Sequence, residues 1–215
     1  MNRIDRTFTQ LREIGRKGII TYLTAGDPDL DVTEELVLEM VCSGADMVEL
    51  GVPFSDPVAD GPVIQAASMR ALKNGTTLND VLTLAGKLRT RIGIPLLIMT
   101  YYNPVYSYGI SSFVEAARNN SVDGVITPDL PLEESESLSQ DLNEVGIHFI
   151  YLLAPTSSAE RVKKTVQRAR GFIYCVSVTG VTGARDIIPD IQQPNRHFSH
   201  QLIYGKYCSR SLTLR

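Results

Sequence analysis

Residues 48–62 read Val-Glu-Leu-Gly-Val-Pro-Phe-Ser-Asp-Pro-Val-Ala-Asp-Gly-Pro, and this segment organises the rest of the chain. The apolar run at 46–50 predicts a buried strand, which ends at the turn 51–53. Gly61 and Pro62 are typical of a helix start. A strand of this kind belongs to a parallel sheet that is covered on both faces. Polar side chains that follow it therefore lie where α/β proteins hold their ligands.

Two acids in this segment carry the chemical signal. Glu49 interrupts an apolar strand, and a buried carboxylate costs several kcal/mol unless it is paired or stays neutral. It is therefore either an ion-paired core residue or a functional acid. Asp60 precedes Gly-Pro, so on its own it is typical of a helix cap or a turn.

The composition limits the possible classes of protein. A chain of 215 residues allows one domain or two small ones, and a net charge of −3 does not favour nucleic-acid binding. The three cysteines are few and widely spaced, which favours a reducing compartment and gives no metal-binding spacing. The sequence has no apolar run long enough for a membrane span and no secretory signal, so we expect a cytoplasmic protein without a metal.

Strand and helix patterns alternate six times, which indicates a parallel sheet. Doubly wound sheets and (β/α)8 barrels both fit this alternation. A turn is expected at Tyr102-Asn103-Pro104. The predicted strands are 18–24, 46–50, 94–101, 122–127, 146–153 and 171–176. The first predicted helix begins at Ile4 and ends at Gly15 or Gly18, and the others are 33–42, 63–73, 77–91, 110–119, 133–145 and 157–169.

Residues 48–61 resemble, at every position, the signature of the tryptophan synthase alpha subunit family. Further resemblance lies in the segments 24–28, 101–104, 128–131 and 180–183. The resemblance covers residues 1–186 and implies a (β/α)8 TIM barrel, of which about six βα units are present.

Residues 187–215 depart from the family pattern. This tail has four Arg or Lys and one Asp, a net charge of +3. We therefore divide the chain into a truncated barrel domain (1–186) and an atypical tail (187–215), which we interpret as a frame or junction artefact. Residues 200–204 can form a strand, but parallel pairing needs a long crossover. We expect strands one and six to be left as edges.

The resemblance implies a lyase that cleaves indole-3-glycerol phosphate to indole and glyceraldehyde 3-phosphate. Glu49 and Asp60 correspond to the catalytic pair of the family, Glu49 as acid and base and Asp60 as the partner of the indole N–H. Five residues match substrate-binding positions: Tyr22, Tyr101, Tyr174, Thr182 and Gly183. For the tyrosines a packing role is the alternative, at the barrel mouth for Tyr22 and Tyr101 and in the core for Tyr174. His148 matches no catalytic position and is expected to be structural. Asp129 is expected to be a turn residue, with a partner-facing role or a supporting role beside the site as the alternatives.

The resemblance also implies a partner, the tryptophan synthase beta subunit, in an alpha2-beta2 heterotetramer. The pyridoxal phosphate belongs to that subunit, so no cofactor is expected in this chain. The family binds the substrate phosphate partly through loops after strands seven and eight, which the family-like part lacks. Two alternatives therefore stay open: a non-catalytic binding subunit and a non-functional fragment.

Overall fold

The computed structural model describes residues 1–154 and 156–176, and the backbone of residues 201–205. Its centre is a parallel sheet of seven strands in chain order, each paired with the next. The strands are β1 (Ile20–Thr24), β2 (Met47–Gly51), β3 (Leu96–Met99), β4 (Gly124–Ile126), β5 (His148–Leu153), β6 (Phe172–Val176) and β7 (Gln201–Gly205). The sequential order is that of a (β/α)8 barrel rather than of a doubly wound sheet, whose strand order reverses.

Helices connect the strands and begin where the sequence supplies caps. Asp29 and Ser158 accept hydrogen bonds from backbone N–H groups of the first turn that follows each, and Thr77 with Asp80 forms a capping box. The helices are α1 (Arg3–Glu13), α2 (Leu30–Cys42), α3 (Pro62–Lys73), α4 (Leu78–Arg89), α5 (Tyr102–Tyr108), α6 (Ile110–Asn119), α7 (Glu136–Glu144) and α8 (Ala159–Arg168).

The strands bury two separate apolar layers because successive side chains point to opposite faces. The outer layer packs the sheet against the surrounding helices. The inner layer includes Met47, Leu97, Ile126 and Ile150. Helix α1 closes the inner layer: its Ile4, Phe8 and Leu11 belong to the same cluster and are buried.

One predicted turn is wrong. Residues 102–104 do not turn the chain but begin α5. Pro104 is the third residue of this helix, where its missing N–H costs nothing because the first four N–H groups of a helix have no partner within the helix. Helix α7 also begins later than predicted, at Glu136 rather than at Glu133.

The expectation that strand six would be an edge is also wrong. β7, from the segment that the sequence analysis found able to form a strand, pairs in parallel with β6 over five residues, from Phe172–Gln201 to Val176–Gly205. Among the described strands β1 and β7 lie at the edges, with no pairing between them.

A buried acid holds the amino-terminal end of the sheet together. Asp123 precedes β4 and accepts hydrogen bonds from Arg3 Nη1 (3.0 Å), Arg89 Nη2 (2.6 Å) and Leu96 N (2.9 Å). Its carboxylate is 3% exposed. One side chain therefore joins α1, α4 and β3 at the start of β4.

We predict that Asp123→Ala lowers the free energy of unfolding by about 3 to 5 kcal/mol, because it leaves the mostly buried Arg89 guanidinium without its carboxylate. Urea denaturation measures the change. The matched control is Asp31→Ala, whose side chain is 94% exposed and whose loss is expected to change stability by under about 0.5 kcal/mol. Equal values for the two variants would contradict a structural role for Asp123.

Candidate active site

Glu49 lies at the centre of β2, on the inner face of the sheet. In the strand register it is opposite Tyr22 of β1 and Leu97 of β3, and both belong to or pack against the inner layer. Met47, two residues earlier, occupies the same layer. The Glu49 side chain is therefore surrounded by apolar and aromatic groups, and the residue is 2% exposed.

Burial makes Glu49 an unusually weak carboxylic acid. It raises the pKa of the Glu49 carboxyl to about 8, with no opposing contribution from a nearby cation. Glu49 forms no ion pair or side-chain hydrogen bond with any residue that the structure describes. The alternative, that Glu49 is a core residue paired with an Arg or Lys, therefore finds no cationic partner among the described residues. A carboxyl with this pKa is mostly protonated at neutral pH, but a minor fraction is ionised.

Tyr22 borders Glu49 on one side and is held by two close contacts. Its hydroxyl is 3.3 Å from Thr24 Oγ1, and its ring lies on the backbone of Gly51, where a Cβ atom would come within 2.3 Å of Tyr22 Oη. Burial raises the pKa of Tyr22, and the charges of Asp60 and Glu49 raise it further. This hydroxyl therefore lies within electrostatic range of both acids.

Asp60 is buried, and its side chain is hydrogen-bonded to Tyr101 and does not cap helix α3. Tyr101 Oη accepts a hydrogen bond from Ala59 N (2.9 Å) and donates one to Asp60 Oδ2 (3.1 Å). Burial raises the pKa of Asp60, and the Tyr101 hydrogen bond partly opposes that rise. The cap interpretation of Asp60 is wrong, because the N-cap residue of α3 is Gly61.

The loop that carries Asp60 is fixed from both sides. The Phe54 ring stacks on the Tyr101 ring with centroids 5.2 Å apart, and Gln65 Nε2 donates to the Asp60 carbonyl (2.9 Å). Asp129 supports the same region, since its carboxylate accepts from Tyr102 N, the first N–H of α5 (2.9 Å to Oδ1). Asp129 therefore caps a neighbouring helix, a more specific role than a turn residue.

The structure brings most of the predicted site residues to one region. Tyr22 and Tyr174 lie in or against the inner layer, and Tyr101 contacts Asp60. Thr182 and Gly183 lie outside the described residues. His148 lies at the amino-terminal end of β5, where its Nε2 is 2.9 Å from Asp5 Oδ2. This position, at the end of the sheet away from Asp60, agrees with a structural role.

Sequence reasoning missed four supporting residues: Thr24, Gly51, Phe54 and Gln65. Only Gly51 carried a signal, because glycine within a strand often marks a close approach of another group. The Phe54–Tyr101 contact depends on how the loop after β2 folds back toward β3. Thr24 and Gln65 make short-range contacts, with Tyr22 and with the Asp60 carbonyl, that no sequence motif marked.

The described part of the chain shows neither a metal-binding cluster nor a membrane-spanning helix. It contains no group of three or more His, Cys, Asp or Glu side chains that could hold a metal ion. None of the helices described there has both the length and the apolar character needed to cross a membrane.

Comparison with known proteins points to one family. The family model for the tryptophan synthase alpha chain matches residues 8–194. The tryptophan synthase alpha chain of Geotalea uraniireducens is 50% identical over 210 residues, which cover 95% of this chain and 79% of the relative. Neither match ends at residue 186, and the proposed division of the chain there stays a prediction.

Solved structures agree with the sequence comparison. The tryptophan synthase alpha subunit of Legionella pneumophila has a TM-score of 0.79 and 43% identity, covering 81% of this chain and 67% of that one. A chain from the tryptophan synthase complex of Pyrococcus furiosus has a TM-score of 0.71 and 40% identity, covering 74% of this chain and 66% of that one.

The raised pKa of Glu49 predicts a pH-dependent stability. Below about pH 4.5 the carboxyl is protonated in both the folded and the unfolded chain. Between 4.5 and about 8 only the unfolded chain loses its proton. Stability should therefore fall as pH rises through this window and level off above it.

We expect the free energy of unfolding of Glu49→Gln to decline less than that of the parent between pH 5 and 8.5, with a final difference of several kcal/mol. Urea denaturation at each pH measures it. The exposed Glu35→Gln serves as the control and should follow the parent. A profile of Glu49→Gln parallel to the parent would show that Glu49 is ionised and paired in the folded chain.

Proposed function

Because the chain belongs to the tryptophan synthase alpha chain family, we propose that it cleaves indole-3-glycerol phosphate to indole and glyceraldehyde 3-phosphate with Glu49 and Asp60 as its catalytic pair. The observation that carries the proposal is the Glu49 carboxyl, which is buried on the inner face of the barrel with a pKa of about 8. A buried acid with a purely structural role is expected to be ion-paired or hydrogen-bonded, and Glu49 has no such side-chain partner among the described residues.

The reaction is a reverse aldol cleavage, and it needs two proton movements. Indole is a poor carbanion leaving group, so C3 of the ring must gain a proton before the carbon–carbon bond breaks. The side-chain hydroxyl must lose a proton so that its oxygen forms the new carbonyl group. In the proposed mechanism, the Glu49 carboxyl donates the first proton and its carboxylate accepts the second. A pKa near neutrality makes both forms accessible.

Asp60 balances the charge that develops on the ring. Protonation at C3 makes the indole nitrogen electron-poor, and a carboxylate that accepts its N–H stabilises that state. Tyr101 Oη donates a hydrogen bond to Asp60 Oδ2, while Asp60 Oδ1 accepts no hydrogen bond from a described residue. In the proposed complex, Oδ1 is therefore the atom that receives the indole N–H.

The indole ring requires an apolar slot between the two acids. In the proposal Tyr22 and Tyr174 line this slot from the inner layer, and Tyr101 lines it from the Asp60 side. The resemblance adds Thr182 and Gly183, in a loop that closes over the substrate. That closure stays a prediction.

The proposed partner is the tryptophan synthase beta subunit, in an alpha2-beta2 assembly in which that subunit holds pyridoxal phosphate. A solved relative belongs to a tryptophan synthase complex. Two large apolar side chains near the candidate site support a docking surface here: Val58 is 80% exposed and Tyr106 67% exposed. We further propose that the chain works in the cytoplasm without a cofactor of its own.

The decisive test is release of indole from indole-3-glycerol phosphate by the full chain, with and without beta subunit. Glu49→Gln should lower kcat by about 10² to 10⁴-fold, because the amide keeps the shape but cannot transfer the proton. Asp60→Asn should lower kcat severely as well, since a neutral amide does not balance the ring charge. The exposed Glu35→Gln should leave the rate unchanged.

Activity of Glu49→Gln within tenfold of the parent would reject the catalytic assignment. A parent that binds beta subunit but releases no indole would support the non-catalytic subunit. A parent that does neither would support the non-functional fragment.

A separate prediction concerns Tyr101. Tyr101→Phe removes the hydroxyl that joins Ala59 N to Asp60 Oδ2 and should lower kcat/KM by about 10 to 100-fold, the effect of one hydrogen bond to a charged group. The control is Tyr108→Phe, which removes a hydroxyl that bonds Asn79 Oδ1 instead. Equal rates for the two variants would show that Tyr101 does not position Asp60.

A further inference from the structure

A polar cleft lies at the amino-terminal end of the sheet, the end away from Asp60. It has a volume of about 310 Å³ and lies between the first turn of α1, the connection from α6 to β4 and the connection from α7 to β5. None of the catalytic candidates lines it. The proposed reaction therefore gives no account of this cleft.

Three arginines line the cleft: Arg3, Arg6 and Arg118. Asp123 is the one acid among the lining residues, and its carboxylate is already engaged by Arg3, Arg89 and Leu96 N. Arg6 and Arg118 are exposed, and neither guanidinium has an ion pair or hydrogen bond with a described residue. The cleft therefore has uncompensated positive charge, in a chain whose net charge is −3.

Local helix stability does not account for these charges. Arg3 and Arg6 lie in the first turn of α1, near the positive end of its dipole, where cations are unfavourable. They are also three residues apart on the helix, a spacing at which like charges repel. Arg118, in the last turn of α6, is favourable for its own helix but adds a third cation to the cleft. An anion in the cleft would relieve all of these repulsions.

The frame of the cleft is fixed by hydrogen bonds. Asn2 Nδ2 donates to the carbonyls of Asp123 (2.9 Å) and Gly146 (2.8 Å), and its Oδ1 accepts from Ile4 N (2.8 Å). One side chain thus joins the start of α1 to both neighbouring connections. A ligand would bind with little rearrangement of the backbone, which lowers the cost of binding.

We propose that this cleft is a binding site for the phosphate group of a small molecule. Arginine guanidinium groups match the oxygens of phosphate in pairs, and the first-turn N–H groups of α1 add partial positive charge. The volume admits a phosphate with a small organic group. The net negative charge of the chain disfavours a long polyanion. Binding would tie α1, which closes the barrel interior, to the connections before β4 and β5.

The test is the thermal unfolding of the full chain in inorganic phosphate, with sodium chloride at matched ionic strength as the reference. Bound phosphate should raise Tm along a saturable curve by about 2 to 4 °C. The double variant Arg6→Ala/Arg118→Ala should lose most of the saturable rise, with an apparent affinity weakened by about tenfold or more.

Arg12→Ala is the matched control, because Arg12 is an exposed arginine of the same helix that does not line the cleft. It should keep the parent curve. Phosphate bound at the active site, or excluded from the surface, stabilises all variants alike and so cancels in the comparison. If the double variant keeps the saturable rise, or the parent shows only a linear rise, the proposal is wrong.

Discussion

The burial of the Glu49 carboxyl group is the constraint on which the rest of the site depends. A carboxylate inside an apolar layer loses its hydration, so the neutral form is favoured and the pKa rises to about 8. The apolar layer around it results from the strand alternation that also stabilises the sheet. The acidity of Glu49 is therefore a product of core packing and needs no dedicated charged neighbour.

The two ends of the sheet differ in their contacts: one end is structural, and the other carries the candidate site. At the amino-terminal end, Asp123 and the apolar side of α1 fix the starts of the strands and close the interior. At the other end, the loops after β2 and β3 bring Asp60 and Tyr101 together. Glu49 lies between these ends, on a strand that is held on both sides. The contacts at one end thus hold the sheet on which the candidate site at the other end is built, as is general for barrels of this kind.

The sequence predicted the helices and strands well but the contacts between distant side chains poorly. The six strands and the position of Glu49 followed from apolar runs and turns, because such patterns are local. Asp60 was indistinguishable from a cap on local grounds, and its contact with Tyr101 spans 41 residues. Pro104 was assigned to a turn because the proline itself does not tell the first turn of a helix from a loop. The β7 pairing was missed because a strand pattern does not show whether its crossover will form.

The two acids differ in how they are held, and this separates their proposed functions. Glu49 lies on a strand whose backbone is paired on both sides, so its position is fixed by the sheet. Asp60 lies in a loop, and its orientation depends on the single Tyr101 hydroxyl. That hydroxyl has one proton, and because it accepts from Ala59 N it donates the proton to Asp60. In the proposed mechanism, a shift of the Asp60 loop would therefore change the recognition of the indole ring nitrogen without displacing Glu49. Control of the proposed reaction through this loop would act on Asp60 and leave Glu49 in place.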